Sequence, residues 1–265
     1  MVMLNRWTIL MVTLFTYYLT CQCVSTWLIR SGEPVQQRTD FPFIALLMTY
    51  ASMCTGSLVS TRAVLTAGHC VCGETPIVRI SFLSLSEFEQ RTINHQPSEI
   101  KVAPDYYPVC QLKRENKRIM KSLSGYDMAI ITLTNSVNLE TGVKVVSLAT
   151  ESDIPIPESI VYMVGYGQDV KDSDPVGRNG GILKKGRATV MACRHKTYGN
   201  PICVKPGPNS KQIAGPGDSG GPLLFSPQGP IIGVASSGVV LSSLADLCVE
   251  YSSVARMLKF ILFNI

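Results

Sequence analysis

The chain has 265 residues, of which 46% are hydrophobic and 16% are charged. That balance predicts a packed globular core and excludes a mainly disordered protein. The formal net charge is +5, and because this small excess comes without long basic runs, it argues against a dedicated nucleic-acid-binding protein.

The N-terminal segment has the layout of a secretory signal peptide. Arg6 supplies a positive charge, and residues 7–20 are uncharged and mostly apolar. A membrane-spanning helix needs about 20 such residues, so this stretch is too short to span comfortably. We expect a signal peptide over residues 1–23, a short propeptide-like segment over residues 24–28, and a secreted, extracellular protein without a membrane partner. A retained membrane anchor or a buried strand is the alternative for this segment.

Short apolar runs alternate with turn clusters along the rest of the chain and predict β-strands. The 21 glycines and 16 prolines are scattered between them. One convincing helix is predicted, at the C-terminus, where Ser252 and Ser253 can cap it and Val254, Leu258 and Ile261 share one face. This pattern is typical of an all-β sandwich or barrel protein. The predicted strands are 41–50, 55–67, 75–83, 128–133, 143–149, 158–167, 186–192, 221–225 and 230–238.

The strongest local signal for chemistry is the segment Gly217-Asp218-Ser219-Gly220-Gly221-Pro222. Glycines on both sides of a serine let the backbone turn sharply and let a substrate carbonyl approach backbone N–H groups. A simple Gly-Pro turn is the plain alternative for this segment taken alone.

Two further segments place a histidine and an aspartate beside apolar runs. His69 follows the predicted strand 55–67, whereas His95 and His195 lie in polar segments that are typical of the surface. Asp127 precedes the run 128–133, and a carboxylate buried there needs a hydrogen-bond partner such as an imidazole N–H. A turn residue at the start of a strand is the alternative for Asp127.

The order of these residues along the chain separates the known hydrolase arrangements. In α/β-hydrolases the histidine follows the serine, but every histidine here precedes Ser219, which argues against a lipase or esterase of that kind. The subtilisin order needs an aspartate before the histidine, for which only Asp40 is available, together with helix–strand alternation that is not predicted. The order His69, Asp127, Ser219 is that of the chymotrypsin arrangement.

Three motifs in this order resemble the active-site motifs of the chymotrypsin/trypsin-like serine proteases. They are LTAGHC (65–70), YDMAIITL (126–133) and GDSGGPLL (217–224). Residues 164–167 are similar to that family's mid-chain turn, and residues 233–238 to its substrate-binding strand, with a serine where tryptophan is common. The resemblance runs from about Ile29 to Ile265.

The resemblance implies an all-β fold of two antiparallel β-barrels packed across an active-site cleft, with a C-terminal helix. The protease domain would span residues 29–265, with the first barrel at about 29–145, the second at about 146–251 and the helix at about 252–265. It implies a secreted serine endopeptidase that acts on polypeptide substrates, is open to protein protease inhibitors and is a monomer. No metal, other cofactor or nucleic acid is implied.

The same resemblance assigns roles to six residues. Ser219 would attack the peptide carbonyl while His69 takes its proton, and Asp127 would orient the imidazole and stabilise the imidazolium. The backbone N–H groups of Gly217 and Ser219 would form the oxyanion hole. A freed amine at Ile29 would pair with Asp218 to activate the enzyme.

The resemblance also predicts the specificity pocket, lined by Ile213, Ser236, Gly238 and Val249. Family members that cut after Lys or Arg carry an aspartate six residues before the nucleophile, where this chain has Ile213. A buried isoleucine cannot neutralise a cation, Gly238 leaves the mouth open and Val249 narrows the pocket. We therefore expect cleavage after small or medium apolar residues.

Nine cysteines are present, and a secreted protein should pair most of those outside the signal peptide. The resemblance implies disulfides Cys54–Cys70 and Cys193–Cys203, and Cys72 is expected to pair with Cys110, leaving Cys248 as the candidate unpaired thiol. A zinc site at His69-Cys70-x-Cys72 is the alternative, but further ligands are missing from the sequence pattern.

The presence of His69, Asp127 and Ser219 favours an active endopeptidase, but two departures from the family pattern leave a second hypothesis open. Leu28, rather than Lys or Arg, precedes Ile29, so release of the amine requires a non-tryptic protease. The pocket also differs from the usual family pattern. A catalytically silent, protease-fold binding or regulatory protein is therefore the alternative to an active endopeptidase.

Overall fold

The protein's structure is a computed structural model that describes residues 32–50, 52–72, 76–86, 89, 92–114, 123–167, 181–193, 198–240 and 247–265. The predicted signal peptide, the propeptide-like segment, Ile29 and His195 lie outside these residues. Within the described part of the chain, no helix is long and apolar enough to cross a membrane.

Strands dominate the described residues, with α-helices at three places and short 3₁₀ helices at three more, Ser124–Tyr126, Leu139–Thr141 and Glu151–Asp153. The first half contains β1 (Glu33–Pro34), β2 (Ile44–Met48), β3 (Met53–Ser60), β4 (Ala63–Thr66), α1 (Gly68–Val71), β5 (Arg79–Phe82), β6 (Ile93–His95), β7 (Pro97–Val102), α2 (Tyr107–Arg114) and β8 (Ala129–Leu133). The second half contains β9 (Ile160–Gly165), β10 (Lys184–Met191), β11 (Ile202–Pro206), β12 (Pro222–Leu224), β13 (Ile231–Val240), β14 (Leu247–Ser253) and α3 (Val254–Phe263).

The first sheet is a curled half-barrel of seven strands in the order β6-β5-β2-β3-β4-β8-β7. Its two outer strands, β6 and β7, are consecutive in the chain and separated only by Gln96, so the sheet must curl until its edges approach. Leu46, Leu58, Val64 and Ile130 of this sheet are buried. These side chains belong to the core that the apolar runs of the first half predict.

The second sheet closes into a six-stranded barrel. Neighbouring strands pair antiparallel in the order β9-β10-β11-β14-β13-β12, and β12 pairs back onto β9. The predicted all-β fold with a C-terminal helix is therefore confirmed. The predicted boundary between the two barrels, near residue 145, assigned residues 33–34 to the first barrel. In the structure these residues form β1, which pairs with β10 of the second sheet.

Residues 143–149, predicted as a strand, form no strand in the structure. Their hydrogen bonds are divided between the two sheets, because Val146 donates to Leu58 of β3 and Ala149 donates to Ile231 of β13. Only an isolated bridge, between Leu148 and Ile231, has strand geometry. The apolar side chains of this segment therefore mark a buried connection between the sheets.

The helices also differ from the prediction. Helix α2 was not predicted, and the structure joins its Cys110 to Cys72. Helix α3 begins at Val254, and the side chain of Ser253 makes no capping hydrogen bond. The expected serine caps are wrong because Ser252 instead donates to the carbonyls of Ser124 and Asp127, at 2.5 and 2.9 Å.

Candidate active site

His69 and Asp127 meet at the ends of two paired strands. His69 lies on α1, three residues after the end of β4, and Asp127 lies two residues before the start of β8. Strands β4 and β8 pair antiparallel, with Thr66 opposite Ala129. His69 and Asp127 therefore lie at the same end of this strand pair. The His69 backbone N–H donates to Asp127 Oδ1 at 2.8 Å, and His69 Nδ1 lies 2.6 Å from Oδ2.

The Asp127 carboxylate is buried among hydrogen-bond donors. Besides the two contacts from His69, the Ser236 hydroxyl donates to Oδ2 at 2.6 Å. Burial raises the pKa of Asp127, but the charge of the His69 ring and the hydrogen bonds from His69 and Ser236 outweigh burial and lower it below its usual value. For Tyr106 the direction is opposite, because burial and the Asp127 charge both raise the pKa of its phenol. The carboxylate is therefore held ionised beside the imidazole.

Ser219 lies in a tight turn between two glycines with positive φ, Gly217 at +93° and Gly220 at +79°. A Cβ on Gly220 would overlap the carbonyl of Thr55 and the hydroxyl of Thr66. This close approach packs the serine turn against the strand end that leads to His69. No hydrogen bond between the Ser219 hydroxyl and the His69 ring is present among the described residues, and such contacts are often long without substrate.

The backbone around Ser219 leaves two N–H groups available. Among the hydrogen bonds of the described residues, neither the Gly217 nor the Ser219 N–H is a donor. Asp218, between them, points the other way: its buried carboxylate accepts from Gly167 N–H at 2.8 Å and from Gly215 N–H at 2.9 Å. The turn can therefore present two donors to one ligand oxygen.

A cavity of about 330 Å³ opens beside Ser219. Its described lining is small or apolar and carries no charged side chain. The lining residues are Ala214, Gly215, Pro216, Ser219, Ala235, Ser236, Ser237, Gly238 and Val249. Of the four predicted pocket residues, Ser236, Gly238 and Val249 lie on its wall, whereas Ile213 is buried and outside the lining.

A second cavity, also of about 330 Å³, lies along β1 and β10. Its lining includes Glu33, Lys185 and Arg187, and the Arg187 guanidinium stacks 5.4 Å from the ring centre of Tyr162. None of the predicted site residues that the structure describes lines it. The candidate site therefore belongs to the first cavity, although the second is as large.

One edge of β13 is open beside the first cavity. Strand β12 pairs with β13 only as far as Val234, and β14 pairs on the other side. Among the described strands, residues 236–238 therefore have a partner on one side only. An open edge of this kind accepts an extended peptide through backbone hydrogen bonds.

Comparison with known proteins places this arrangement in a family. The family model described as trypsin matches residues 29–261. The chain belongs to the trypsin family of serine proteases. Cercarial protease of Schistosoma mansoni is 61% identical over 264 residues, which are 99% of this chain and 100% of that protein. This chain is therefore a serine endopeptidase whose substrates are polypeptides.

Two solved structures are similar to this trypsin-family protease in fold. Neuropsin, a serine protease from mouse brain, has a TM-score of 0.70 at 23% identity and covers 88% of this chain and 98% of its own. A mutant of human heparin binding protein also has a TM-score of 0.70, at 20% identity, covering 89% of this chain and 97% of its own. At these identities the likeness supports the chymotrypsin-like fold alone.

The structure pairs six cysteines of the protease. The disulfides are Cys54–Cys70, Cys72–Cys110 and Cys193–Cys203. Cys248 is buried and takes part in none of them. Cys54, His69 and Cys70 lie close enough to suggest a metal site, but two of these residues are bonded to each other and offer no thiolate.

Several contacts that hold this site have no counterpart in the predictions from the sequence. Ser236 was predicted only as a pocket residue, yet its hydroxyl binds Asp127. The pairing of β13 with β14 shifts register between Ala235 and Ser237, and such a bulge re-aims a side chain. Thr55 of β3 was not singled out, although it binds Gly217 and Ser219. No local sequence pattern indicates contacts between residues so far apart in the chain.

Proposed function

We propose that this trypsin-family protease cleaves peptide bonds through a triad of Ser219, His69 and Asp127 and an acyl-enzyme intermediate. The observation that carries the proposal is the 2.6 Å contact between His69 Nδ1 and Asp127 Oδ2. An ionised carboxylate only accepts hydrogen bonds, so it favours the tautomer with hydrogen on Nδ1. Nε2 is then left to take the proton of Ser219 during attack and to return it to the leaving amine.

The N–H groups of Gly217 and Ser219 supply the proposed oxyanion hole. Both belong to the turn that carries the nucleophile, and neither has another acceptor among the described residues. Because these backbone dipoles are fixed before substrate arrives, they stabilise the developing charge without reorganising. Each such donor typically contributes about 10²–10³ in rate.

The cavity beside Ser219 is the proposed pocket for the substrate side chain that precedes the cleaved bond. Ser236, Gly238 and Val249 line it, and its described wall offers no carboxylate to a cation. A cationic side chain would lose its hydration there without compensation. Ile213, which is buried and outside the lining, stands at the chain position where family members that cut after Lys or Arg carry an aspartate. We therefore propose cleavage after small or medium apolar residues.

Extended polypeptides would reach the site along residues 236–238 of β13. Backbone pairing at this open edge gives affinity without fixing every side chain. A protein inhibitor that presents an extended loop would bind by the same geometry.

The proposed route to the active enzyme is secretion followed by cleavage before Ile29. Its freed amine would then pair with Asp218, whose buried carboxylate precedes the nucleophile and already accepts two backbone N–H groups. N-terminal sequencing of the active protein from the culture medium should read Ile29 first. An active protein that begins at another residue would reject this route.

A panel of peptide substrates differing in the residue before the cleaved bond tests the specificity. We expect the wild type to cleave after Ala, Val or Leu at least tenfold faster than after Arg or Lys, and Ser219→Ala to lose about 10³-fold or more of the activity. A preference for Arg or Lys would reject the apolar pocket. Absence of cleavage in correctly processed protein would favour the catalytically silent alternative.

A further inference from the structure

Thr55 joins the two halves of the molecule directly behind the serine turn. It lies on β3 of the first sheet, its exposed fraction is 0%, and its hydrogen bonds cross to the second sheet. Its backbone N–H donates to the carbonyl of Ser219 at 2.8 Å. Its hydroxyl donates to the carbonyl of Gly217 at 2.9 Å and accepts the Tyr166 N–H at 3.1 Å. All of these contacts depend on one side chain and its own backbone.

The carbonyl of Thr55 completes this set of contacts. It accepts the Thr66 hydroxyl at 2.9 Å, and Thr66 ends the strand that leads to His69. Tyr166, on the other side, precedes Gly167, whose N–H binds Asp218. Thr55 is therefore in contact with the segment before the histidine, the segment that binds Asp218 and the serine turn itself.

The serine turn needs such an anchor because of Gly217. At φ +93° a glycine has little intrinsic preference for one orientation of its peptide groups. The Thr55 hydroxyl fixes the Gly217 carbonyl, and the Thr55 N–H fixes the Ser219 carbonyl. These two carbonyls flank Asp218, so the direction of the Ser219 N–H between them is restricted as well.

We propose that Thr55 is a positioning residue for the oxyanion hole, acting through its hydroxyl on Gly217 and Tyr166. This inference rests on the proposed function, because it requires that the Gly217 and Ser219 N–H groups stabilise the transition state. An interaction that matters mainly in the transition state changes kcat rather than KM. A threonine with only a structural role would change the stability of the protein without lowering kcat selectively over KM.

Two substitutions of Thr55 distinguish the contribution of its hydroxyl from that of its side-chain shape. Thr55→Val keeps the shape but removes the donor to Gly217 and the acceptor for Tyr166, and Thr55→Ser keeps the hydroxyl. We expect Thr55→Val to lower kcat for a peptide substrate about tenfold with KM within about twofold, less than the effect of deleting a direct oxyanion donor. Thr55→Ser should recover most of kcat. If Thr55→Val does not fold, Thr55→Ala replaces it in the comparison with Thr55→Ser.

Ser81→Ala is the matched control for lost stability. Ser81 is also a buried strand residue, and its hydroxyl donates to Asn94 Oδ1 at 2.6 Å in the first sheet, away from the serine turn. It should lower the melting temperature without lowering kcat. An unchanged kcat in folded Thr55→Val or Thr55→Ala, an equal loss in Thr55→Ser, or a rise in KM as large as the fall in kcat would overturn the proposal for Thr55.

Failure of the underlying function has a different signature. If wild-type protein, correctly processed, did not react with a fluorophosphonate at Ser219, both the triad and the role of Thr55 would be rejected. If the wild type reacts and turns over peptide, the three Thr55 variants judge the positioning role alone.

Discussion

The residue that best explains the site is Asp127, because a buried carboxylate is tolerated only where donors surround it. Its two oxygens accept from the His69 backbone, the His69 ring and the Ser236 hydroxyl. Ser252 meanwhile donates to its backbone carbonyl. The same contacts that make burial tolerable also fix the imidazole for proton transfer.

The pH dependence of stability follows from the lowered pKa of Asp127. Because the folded state binds this proton less tightly than the unfolded state, the carboxylate stabilises the fold above its ordinary pKa, near 4, and that contribution is lost as the pH falls through the lowered value. Asp127→Asn should therefore be less stable than wild type at pH 7, by about 1–3 kcal/mol, because the hydrogen bonds from His69 and Ser236 lose their charged acceptor.

Urea unfolding at pH 7 and at pH 3 checks this prediction. The difference in free energy of unfolding between wild type and Asp127→Asn should shrink at the lower pH. A difference that stays constant would contradict the account of Asp127 as an ionised, hydrogen-bonded carboxylate.

At the residue scale, the sequence indicates reactive groups better than the groups that position them. His69, Asp127 and Ser219 stand in short motifs whose chemistry is local. Thr55 binds residues that lie more than 100 positions away, and the orientation of Ser236 depends on a bulge. Neither contact has a signature within a few neighbouring residues.

At the scale of elements, the serine turn is shaped by its close approach to β3 and to the end of β4. Gly220 has both a positive φ and a Cβ position that is occupied by the Thr55 carbonyl and the Thr66 hydroxyl. Backbone atoms cannot move aside as a flexible side chain can. The turn therefore requires glycine for two separate reasons.

Gly142 has a positive φ without the close approach, so it isolates the effect of backbone strain. Its φ is +96°, and the nearest atom to an added Cβ is Leu83 Cδ1, at 3.9 Å. Gly142→Ala should cost about 1 kcal/mol of stability from backbone strain alone. Gly220→Ala should cost at least about 2 kcal/mol more and should also lower activity, because the clash displaces Ser219. Urea unfolding and peptide turnover of both variants measure the difference, and equal costs would show that the close approach is unimportant.

Several strands were predictable from alternating or continuous burial, as in β2, β8 and β9. The run 55–67 was predicted as one strand, but the structure divides it into β3 and β4 with a turn at residues 61–62. The buried strands β11 and β14 were not predicted. Strand β7 was not predicted, because it is mostly exposed and carries little apolar pattern. Residues 143–149 were predicted as a strand but form none, because their apolar side chains fill a buried connection between the sheets. Periodicity reports burial, and only the hydrogen bonds show whether a buried segment belongs to a sheet.

At the scale of the whole molecule, the two sheets contribute different parts of one site. The curled first sheet supplies His69, Asp127 and Thr55, and the closed second barrel supplies the serine turn and the open edge of β13. The resemblance of the three motifs to the chymotrypsin/trypsin-like proteases implied this division between the halves. The crossing of β1 to the second sheet was not predictable, because a two-residue strand carries no periodicity.

In the proposed mechanism, an imidazole from one half of the molecule activates a hydroxyl from the other half. Mass spectrometry of the processed protein after treatment with a fluorophosphonate detects this activation. We predict one adduct, on Ser219, formed in the wild type and slowed at least about 10³-fold in His69→Ala. An adduct on a different serine, or equal labelling with and without the imidazole, would contradict it.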